Sequence, residues 1–382
     1  MSRNRILSMT AAIVLFAAGC GEPAPPASDV QGNAPVDLTA ETPVIRVGYV
    51  KQDHHSAMFV AALLGDVMSG LYPVYLAPLG GDYYALVKDG VKVAEIQAVQ
   101  SQGAMEVPNN MNAGLFDIGF GGVTAFAASA DMGTGIRIIS PLHFNGDMLV
   151  VASDNVQVND WDSFVQWAME SPVPVTVGFK SPSAVAVILL EGALQHSEVP
   201  YSYQSNPQPG SRVILYNAQG EANLNPALTE GIVQAYVSNN PHPALAEHNG
   251  IGRVVCSLSD LPPGIFGDHP CCVLAATPGI LAENPDGTAA VLELFSYATD
   301  YINTHRDSAA AAVSEWCGVP LEVTLESMAS SVYNVSLDDR FMGNMHTVLD
   351  HMRSLGLFTG PLSQADPAVE EAVLYDFSLL PD

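Results

Sequence analysis

Short apolar runs recur along the chain, and each is followed by a longer segment whose apolar residues return at helical spacing. The first run, Val44–Val50, is rich in β-branched residues, and residues 56–68 then repeat their apolar positions at a helical period. Short β-branched runs between turn residues predict buried strands, whereas longer periodic segments predict helices. The same pattern predicts further strands at residues 91–97, 116–120, 136–139, 149–152, 173–178, 213–216, 232–237 and 273–276.

Predicted helices fill the spaces between these strands. They cover residues 110–115, 123–130, 184–194 and 226–230, and the C-terminal third adds residues 285–304, 308–316, 321–331 and 338–355. Strands that alternate with helices form a largely parallel sheet covered on both faces. Two such series followed by a helical tail predict an α/β fold with two similar lobes. The first lobe would comprise residues 43–152 and 270–382, and the second residues 153–269.

A segment typical of an export signal opens the chain. Arg3 and Arg5 precede an apolar run over residues 6–18, which is shorter than the ~20 residues that span a membrane. A positive start, a short apolar run and small residues before a cleavage point are typical of a signal peptide. Here Ala-Ala-Gly leads to Cys20, which resembles a bacterial lipoprotein processing site. We therefore expect residues 1–20 to direct export, and lipid on Cys20 to anchor an extracytoplasmic protein to a membrane.

Composition separates a tether from the folded body. Residues 21–42 are rich in Pro, Ala and Gly without apolar periodicity, so we expect a disordered tether there. Of all residues, 48% are hydrophobic and only 14% are charged, which is typical of a large globular core. The net charge is −27, from 40 acidic and 13 basic residues. Nucleic-acid binding is not expected, because phosphate contacts need a basic face.

Four cysteines remain besides Cys20, namely Cys256, the adjacent pair Cys271 and Cys272, and Cys317. In an exported protein, a disulfide from Cys256 or Cys317 to one of the pair is one interpretation. Buried free thiols are the other. The spacing does not favour zinc, because no Cys-x-x-Cys pair is present.

Five stretches resemble, in order, the solute-binding proteins of nitrate, sulfonate and taurine importers, a family that also includes thiamine-precursor binding proteins. Residues 111–124 (MNAGLFDIGFGGVT) resemble the family's aGxxDigxxG segment. Residues 227–237 (ALTEGIVQAYV) resemble its ALxxGxvDA segment, with Gln234 in place of the usual acid. The other stretches are residues 177–183 at the start of the second lobe, and residues 302–309 and 352–357 in the helical tail.

This resemblance implies a two-lobed type II periplasmic-binding-protein fold, in which each lobe is a mainly parallel sheet flanked by helices. It implies a substrate-binding protein that captures a nitrate-, sulfonate-, taurine- or thiamine-precursor-like molecule between the lobes. The implied partners are an ABC permease and its ATPase, and the protein is expected to be a monomer without a cofactor.

In open α/β sheets, ligands bind beyond the carboxyl ends of the strands, so the loops that follow predicted strands form the candidate ligand site. Four such loops contribute Asp53, His54, His55, Ser56, Ser101, Gln102, Gly121, Gly122, Thr124, Lys180, Ser181 and Ser183. The second lobe adds Asn239, Asn240 and His242, and Asn145 lies near the lobe crossover.

Several of these candidates have an ordinary structural alternative. Gly121 and Gly122 bring backbone N–H groups close to a ligand, but they also suit a tight turn from strand to helix. Ser181 and Ser183 suit helix capping, and Lys180 suits a solvated position.

The Asp-His-His sequence at residues 53–55 is the most unusual feature. Adjacent histidines point in different directions on regular structure, so one would face a ligand and the other would be buried. In a cleft, His54 and His55 bind an anion, stack on a ring or coordinate a metal, to which His269 would add a ligand. The alternative is a pair of hydrogen-bonded loop histidines, and we expect no metal site.

An importer-binding role is the favoured function, and a ligand-sensing subunit of a signalling system is an alternative. An enzyme similar to those of thiamine-pyrimidine or menaquinone synthesis is disfavoured. The chain has no nucleophile–base motif, no His-Glu-x-x-His and no P-loop, and we assign no catalytic residues.

Replacing the predicted lipidation residue tests the anchor. We expect Cys20→Ala to move the protein from the membrane fraction to the soluble fraction, because the acyl chains that hold it are lost. Immunoblots of fractionated cells measure the distribution, with Cys256→Ser as the matched cysteine control. Continued membrane retention of Cys20→Ala would contradict the prediction.

Overall fold

The computed structural model describes residues 36–101, 103, 106–364 and 366–381. The predicted signal peptide with Cys20, most of the tether and Gln102 lie outside the described residues. In the part of the chain that is described, no helix combines the length and the apolar character needed to cross a membrane. Lys92 Nζ donates to the carbonyls of Leu38 and Ala40 at 3.1 and 2.8 Å. The chain is therefore attached to the sheet before residue 43, where we expected order to begin.

Two β-sheets organise the described residues. The strands are β1 (Val44–Val50), β2 (Val74–Gly80), β3 (Tyr83–Lys88), β4 (Val91–Ser101), β5 (Ile118–Gly122), β6 (Arg137–Asn145), β7 (Asp147–Ala152), β8 (Val175–Phe179), β9 (Tyr201–Tyr203), β10 (Val213–Asn217), β11 (Ala235–Asn239), β12 (Gly252–Ser257), β13 (Pro270–Ala276) and β14 (Ser331–Tyr333). The first sheet has the order β14-β6-β13-β5-β1-β4-β3-β2, and the second has the order β12-β7-β11-β8-β10-β9.

Helices cover these sheets and make up most of the C-terminal third, as predicted. They are α1 (Ser56–Leu63), α2 (Gly65–Ser69), α3 (Glu106–Asn112), α4 (Val123–Asp131), α5 (Trp161–Glu170), α6 (Val185–His196), α7 (Leu224–Thr229), α8 (His242–His248), α9 (Pro278–Glu283), α10 (Pro285–Thr304), α11 (Arg306–Cys317), α12 (Leu321–Ala329), α13 (Asp339–Ser354) and α14 (Pro367–Leu374). The helix predicted over residues 56–68 is divided at Leu64. The division places Gly65 against β2. A Cβ on Gly65 would lie 2.0 Å from the Leu76 carbonyl oxygen, so this position requires glycine.

The predicted two-lobed α/β fold is confirmed, but the first sheet is not mainly parallel. In that sheet only β1–β4 and β1–β5 run parallel, and the other five neighbouring pairs are antiparallel. In the second sheet β8, β9, β10 and β11 pair in parallel, whereas β7 runs antiparallel to β11 and β12. Two of the five antiparallel pairs arise because β2, β3 and β4 follow one another through short turns, and such connections produce antiparallel neighbours.

The chain crosses between the sheets earlier than predicted. We placed residues up to 152 in the first lobe, but β7 pairs with β11 and β12 of the second sheet. Strand β6 continues to Asn145, well beyond the predicted end at residue 139, and only Gly146 separates it from β7. Asn145 and Gly146 have positive φ angles of 64° and 90°, which turn the chain from one sheet into the other. The chain re-enters the first sheet at Pro270.

Helix α6 is apolar on every side and lies in the core. Ten of its twelve residues are buried, which fits a helix that packs on several faces. It contacts β7 and β11 of the second sheet, and it also contacts α13 from the C-terminal helices. Burying each large aliphatic side chain contributes about 1.5–3 kcal/mol. The helix therefore joins the C-terminal segment to the second sheet.

A buried carboxylate ties the C-terminal segment to α4. Asp131 accepts hydrogen bonds from the backbone N–H groups of Thr359, Gly360 and Leu362 at 2.8, 2.7 and 2.8 Å. We expect Asp131→Ala to lower the free energy of unfolding by about 3 kcal/mol, because buried donors lose a charged acceptor. Urea unfolding followed by circular dichroism measures the change. Asp154→Ala, at an exposed turn, is the control, and equal stability of the two variants would contradict the prediction.

Candidate functional site

A small closed cleft lies between the two sheets. Its lining comprises Gln52, His54, Gly122, Cys271 and Cys272 from the first-sheet side and Asp147, Lys180, Ser183, Ala184, Val185 and Asn239 from the second-sheet side. The cavity measures about 20 Å³, which is room for one water molecule or one ion.

The direction of the strands explains why these residues meet. The parallel strands β1 and β5 end at Val50 and Gly122, and β8 and β11 end at Phe179 and Asn239. Their carboxyl ends point toward the cleft, which is where open α/β sheets bind ligands. A larger cavity of about 840 Å³ opens beside α13 and α14, but it lies at none of these strand ends. We therefore take the cleft as the candidate site.

Polar contacts cross the cleft from one sheet to the other. Thr124 Oγ1, at the start of α4, donates to the carbonyl of Ser183 at 2.5 Å. Asn239 Nδ2 lies 2.9 Å from the side-chain amide of Gln52. These contacts hold the two sides together around the cavity.

A buried ion pair lies on the second-sheet side. Lys180 Nζ lies 3.1 Å from Glu221 Oε2 and also donates to Asn239 Oδ1. Burial lowers the pKa of Lys180, but Glu221 together with Cys271, Asp147 and Cys272 raises it overall. Burial likewise raises the pKa of Glu221, but the charge and hydrogen bond of Lys180, with His242 and His54, bring it below its ordinary value. Lys180 is therefore a buried, paired cation rather than a solvated one.

A second buried pair backs the cleft at the start of β7. Asp147 Oδ2 lies 3.0 Å from His269 Nε2, and His269 Nδ1 lies 3.0 Å from the Phe266 carbonyl. Burial raises the pKa of Asp147, but the hydrogen bond and charge of His269 lower this pKa, and the net result is a pKa below the ordinary value. The Asp147 carboxyl group therefore stays ionised. His269, which we named as a third metal ligand beside His54 and His55, is committed to Asp147 instead.

Four metal-ligating side chains meet beside the cavity. His54, His143, Cys271 and Cys272 are fully buried, and their donor atoms all lie within 4.8 Å of one another. Cys271 Sγ is 3.5 Å from His54 Nδ1, and the rings of His54 and His143 have centroids 4.1 Å apart.

The two cysteines of this cluster share hydrogen bonds and differ in acidity. Cys271 donates to Cys272, which holds the pKa of Cys272 well below its ordinary value and raises that of Cys271. The nearby imidazoles of His143 and His54 also lower the pKa of Cys272. In the described part of the chain, Cys256 and Cys317 are free as well. Neither is bonded to the pair, so the thiol interpretation describes the structure better than the disulfide.

The remaining residues of the first loop have structural contacts. His55 Nδ1 accepts from the Val50 N–H at 2.9 Å, and its Nε2 lies 3.2 Å from the Gln52 amide. Asp53 accepts from the Ser327 hydroxyl, and Ser56 donates to the Asp53 carbonyl. The hydrogen-bonded alternative therefore describes His55, while His54 alone lines the cavity.

Other predicted candidates lie close to the cavity without lining it. Asn240 donates to Ser330 Oγ at 2.8 Å, and His242 Nε2 is 4.0 Å from Glu221. Ser181 Oγ has no hydrogen-bond partner among the described residues. A Cβ on Gly121 would meet the Phe126 ring at 2.9 Å, so close packing explains this glycine.

Two candidates lie farther along their strands. Ser101, at the end of β4, is 3.5 Å from Asn110 Nδ2. Asn145 donates to Asp268 and accepts from Ser259 at 3.2 and 2.9 Å. Its side-chain amide therefore stabilises the crossover from β6 to β7.

Sequence analysis missed several residues of this site. Asp147 was overlooked, and His143 was only a weaker candidate beside Asn145, because β6 was predicted to be short and the crossover was placed too late. Cys271 and Cys272 were interpreted as disulfide partners or buried thiols, and zinc was disfavoured because no Cys-x-x-Cys pair is present. Gln52 carries a weak signal, since it directly precedes Asp53 in a loop that we had singled out.

Comparison with known proteins identifies related chains. The model of the NMT1-like family matches residues 39–318. Over 107 residues the chain is 31% identical to the uncharacterized protein MJ1180 of Methanocaldococcus jannaschii, which covers 28% of this chain and 74% of that protein.

Solved structures share the fold at low identity. The zinc-bound ligand-binding component of an ABC-type import system from Staphylococcus aureus has a TM-score of 0.65 and 17% identity, over 88% of this chain and 100% of that chain. The alkanesulfonate-binding protein SsuA from Xanthomonas axonopodis pv. citri, bound to MOPS, has a TM-score of 0.62 and 14% identity, over 85% and 98%. The nitrate-binding protein NrtA from Synechocystis PCC 6803 has a TM-score of 0.64 and 12% identity, over 89% and 87%. These matches support the fold.

Removing one partner of the buried ion pair tests the electrostatics of the cleft. We expect Glu221→Gln to lower the free energy of unfolding by about 3 kcal/mol, because Lys180 then stays buried without a counter-charge. The double variant Lys180→Met, Glu221→Leu removes both charges, and we expect it to recover most of the loss. Chemical unfolding of the three proteins measures this, and equal losses in the single and double variants would contradict the pairing.

Proposed function

The chain belongs to the NMT1-like family, and on that premise we propose that it is the extracytoplasmic substrate-binding lipoprotein of an ABC importer. It captures a small solute between its two lobes and delivers it to a membrane permease driven by an ATPase. Export and the lipid anchor are part of the proposal, and the signal-like sequence of residues 1–20 supports them. The proposal assigns no reaction to the cleft.

The observation that carries this proposal is the closed polar cleft at the strand ends of both sheets. Each side supplies buried polar side chains to one cavity, with His54 and Gln52 facing Lys180 and Asn239. Buried polar groups are costly unless they find partners, so a cleft of this kind favours binding over simple packing.

Opening the cleft requires the connections between the sheets to flex and the contacts across it, such as α6 with α13, to separate. One connection is the β6–β7 step at Gly146, and another leads from β12 to β13. Domain closure over a ligand uses a few such residues as hinges. Thr124 and Ser183 then re-form their 2.5 Å hydrogen bond when the lobes close.

The size of the cavity restricts which solutes fit this closed form. Nitrate-, sulfonate-, taurine- and thiamine-precursor-like molecules are the solutes that the family resemblance suggests. About 20 Å³ holds a single atom or ion. A sulfonate or a thiamine precursor therefore requires the lobes to close less completely than they do here.

Screening solutes against the full-length chain tests the binding role. A solute at a hundred times its Kd adds about 2.7 kcal/mol to the free energy of unfolding, which raises Tm by a few degrees. The panel contains nitrate, sulfonates, taurine, thiamine precursors and divalent metal ions. We also expect slower hydrogen exchange in residues 119–124 and 178–184, because closure buries both loops.

A matched pair of variants locates the binding. We expect Asn239→Ala to weaken binding of the hit solute at least tenfold, about 1.4 kcal/mol, because Asn239 lines the cavity. Asn249→Ala, at the exposed end of α8, should bind normally. Equal affinities, or a panel with no effect on Tm or hydrogen exchange, would count against the proposal.

A further inference from the structure

We propose that the solute taken up by the cleft is a single thiophilic metal ion, bound by His54, His143, Cys271 and Cys272. This inference rests on the proposed function, because it names the class of solute for the same cleft. Zn²⁺ and Cu⁺ share the required chemistry, since both accept tetrahedral coordination by sulfur and imidazole nitrogen.

The geometry of the cluster is close to that of a metal site. The four side chains come from the loop after β1, from β6 and from β13, and their donor atoms lie within 4.8 Å of one another. With metal–sulfur bonds of about 2.3 Å and metal–nitrogen bonds of about 2.0 Å, tetrahedral donor atoms are about 3.3–3.8 Å apart. The 3.5 Å separation of Cys271 Sγ and His54 Nδ1 already falls in this range. Small side-chain rotations bring the other donors to bonding distance.

An irregularity in β13 lets both cysteines reach one point. Successive side chains of a regular strand point to opposite faces, so adjacent cysteines would normally diverge. Here Pro270 and Cys272 pair with the consecutive residues Phe144 and His143, which leaves Cys271 as an extra residue against β6. A bulge of this kind redirects side chains. It places both sulfur atoms beside the two imidazoles.

The imidazoles have nitrogen atoms available for a ligand. Nε2 of His143 is buried and has no hydrogen-bond partner among the described residues, and Nδ1 of His54 faces Cys271 Sγ. His143 Nδ1 lies 3.5 Å from the Phe144 carbonyl, which is the kind of contact that orients a metal-binding histidine. A buried polar atom without a partner is costly, and a bound metal ion removes that cost at His143.

Charge and size also favour a cation. The other ionised residues of the cleft are already paired, as Lys180 with Glu221 and Asp147 with His269. Two thiolates neutralise a divalent ion, and a cavity of about 20 Å³ suits a single ion. The net charge of −27 raises the local concentration of cations and repels anions such as nitrate or sulfonate.

Metal titration of the full-length chain tests the inference. The protein is reduced, treated with a chelator, freed of both reagents and titrated anaerobically with Co²⁺ as a spectroscopic probe. We expect one ion per chain, a thiolate-to-cobalt charge-transfer band and the visible bands of tetrahedral Co²⁺. Zn²⁺ and Cu⁺, added in separate arms, should displace Co²⁺, whereas Mg²⁺ and Ca²⁺ should not.

Single substitutions then identify the ligands. We expect Cys271→Ser, Cys272→Ser and His143→Ala each to weaken Zn²⁺ binding at least tenfold in competition with a chromophoric chelator. Cys256→Ser is the matched control, because this half-buried thiol lies outside the cluster and should leave the affinity unchanged. Binding that survives replacement of both Cys271 and Cys272, or cobalt spectra without a thiolate band, would show that the proposed site is wrong.

Hydrogen exchange separates this inference from the proposed function. Metal binding that slows exchange in residues 119–124 and 178–184 supports both. If an organic or anionic solute closes the cleft and no metal binds, the solute-binding role stands and the metal assignment falls. If a metal ion binds through the four residues but the lobes do not close, the metal ion is not the solute of the cleft, and this inference is wrong. If neither metal nor any other solute binds, both proposals fall.

Discussion

The crossover from one sheet to the other takes place over a single residue, Gly146. A Cβ at this position would lie 2.5 Å from His54 Nε2 and from Ser331 Oγ, so any side chain here would clash with both. Its φ of 90° turns the chain between β6 and β7. Because the crossover is so short, His143 and Asp147 are held beside His54. The cleft, its buried pairs and the cysteine cluster all depend on this close approach.

Buried charge in an acidic protein is the second feature that organises the cleft. The chain has 13 basic residues against 40 acidic ones, yet one of the few basic residues, Lys180, is buried in the cleft. A buried cation is tolerated only with a partner, and Glu221 supplies it. Asp147 and His269 meet the same requirement nearby. With these charges already paired, the thiols and imidazoles of the cluster are the groups that we propose bind the solute.

The likeness to binding components of importers supports a fold with two lobes. The families of such clamps differ in what lies at the strand ends, because the fold holds the loops while the loop residues select the ligand. In this chain the strand ends present sulfur and imidazole rather than a basic surface. The same architecture that binds nitrate in NrtA is therefore proposed here to bind a metal ion.

The sequence by itself determined the α/β class, the helical C-terminal third and the loops that meet at the cleft. These follow from local periodicity and from the rule that parallel strands bring their carboxyl ends together. Lys180, Asn239 and His54 were found in this way. The partners of these residues were decided only by the tertiary structure. His143 joins Cys271 and Cys272 through strand register and a bulge, and His269 binds Asp147 across the crossover. Register, bulges and crossovers depend on how distant segments pack, and no local pattern in the sequence records them.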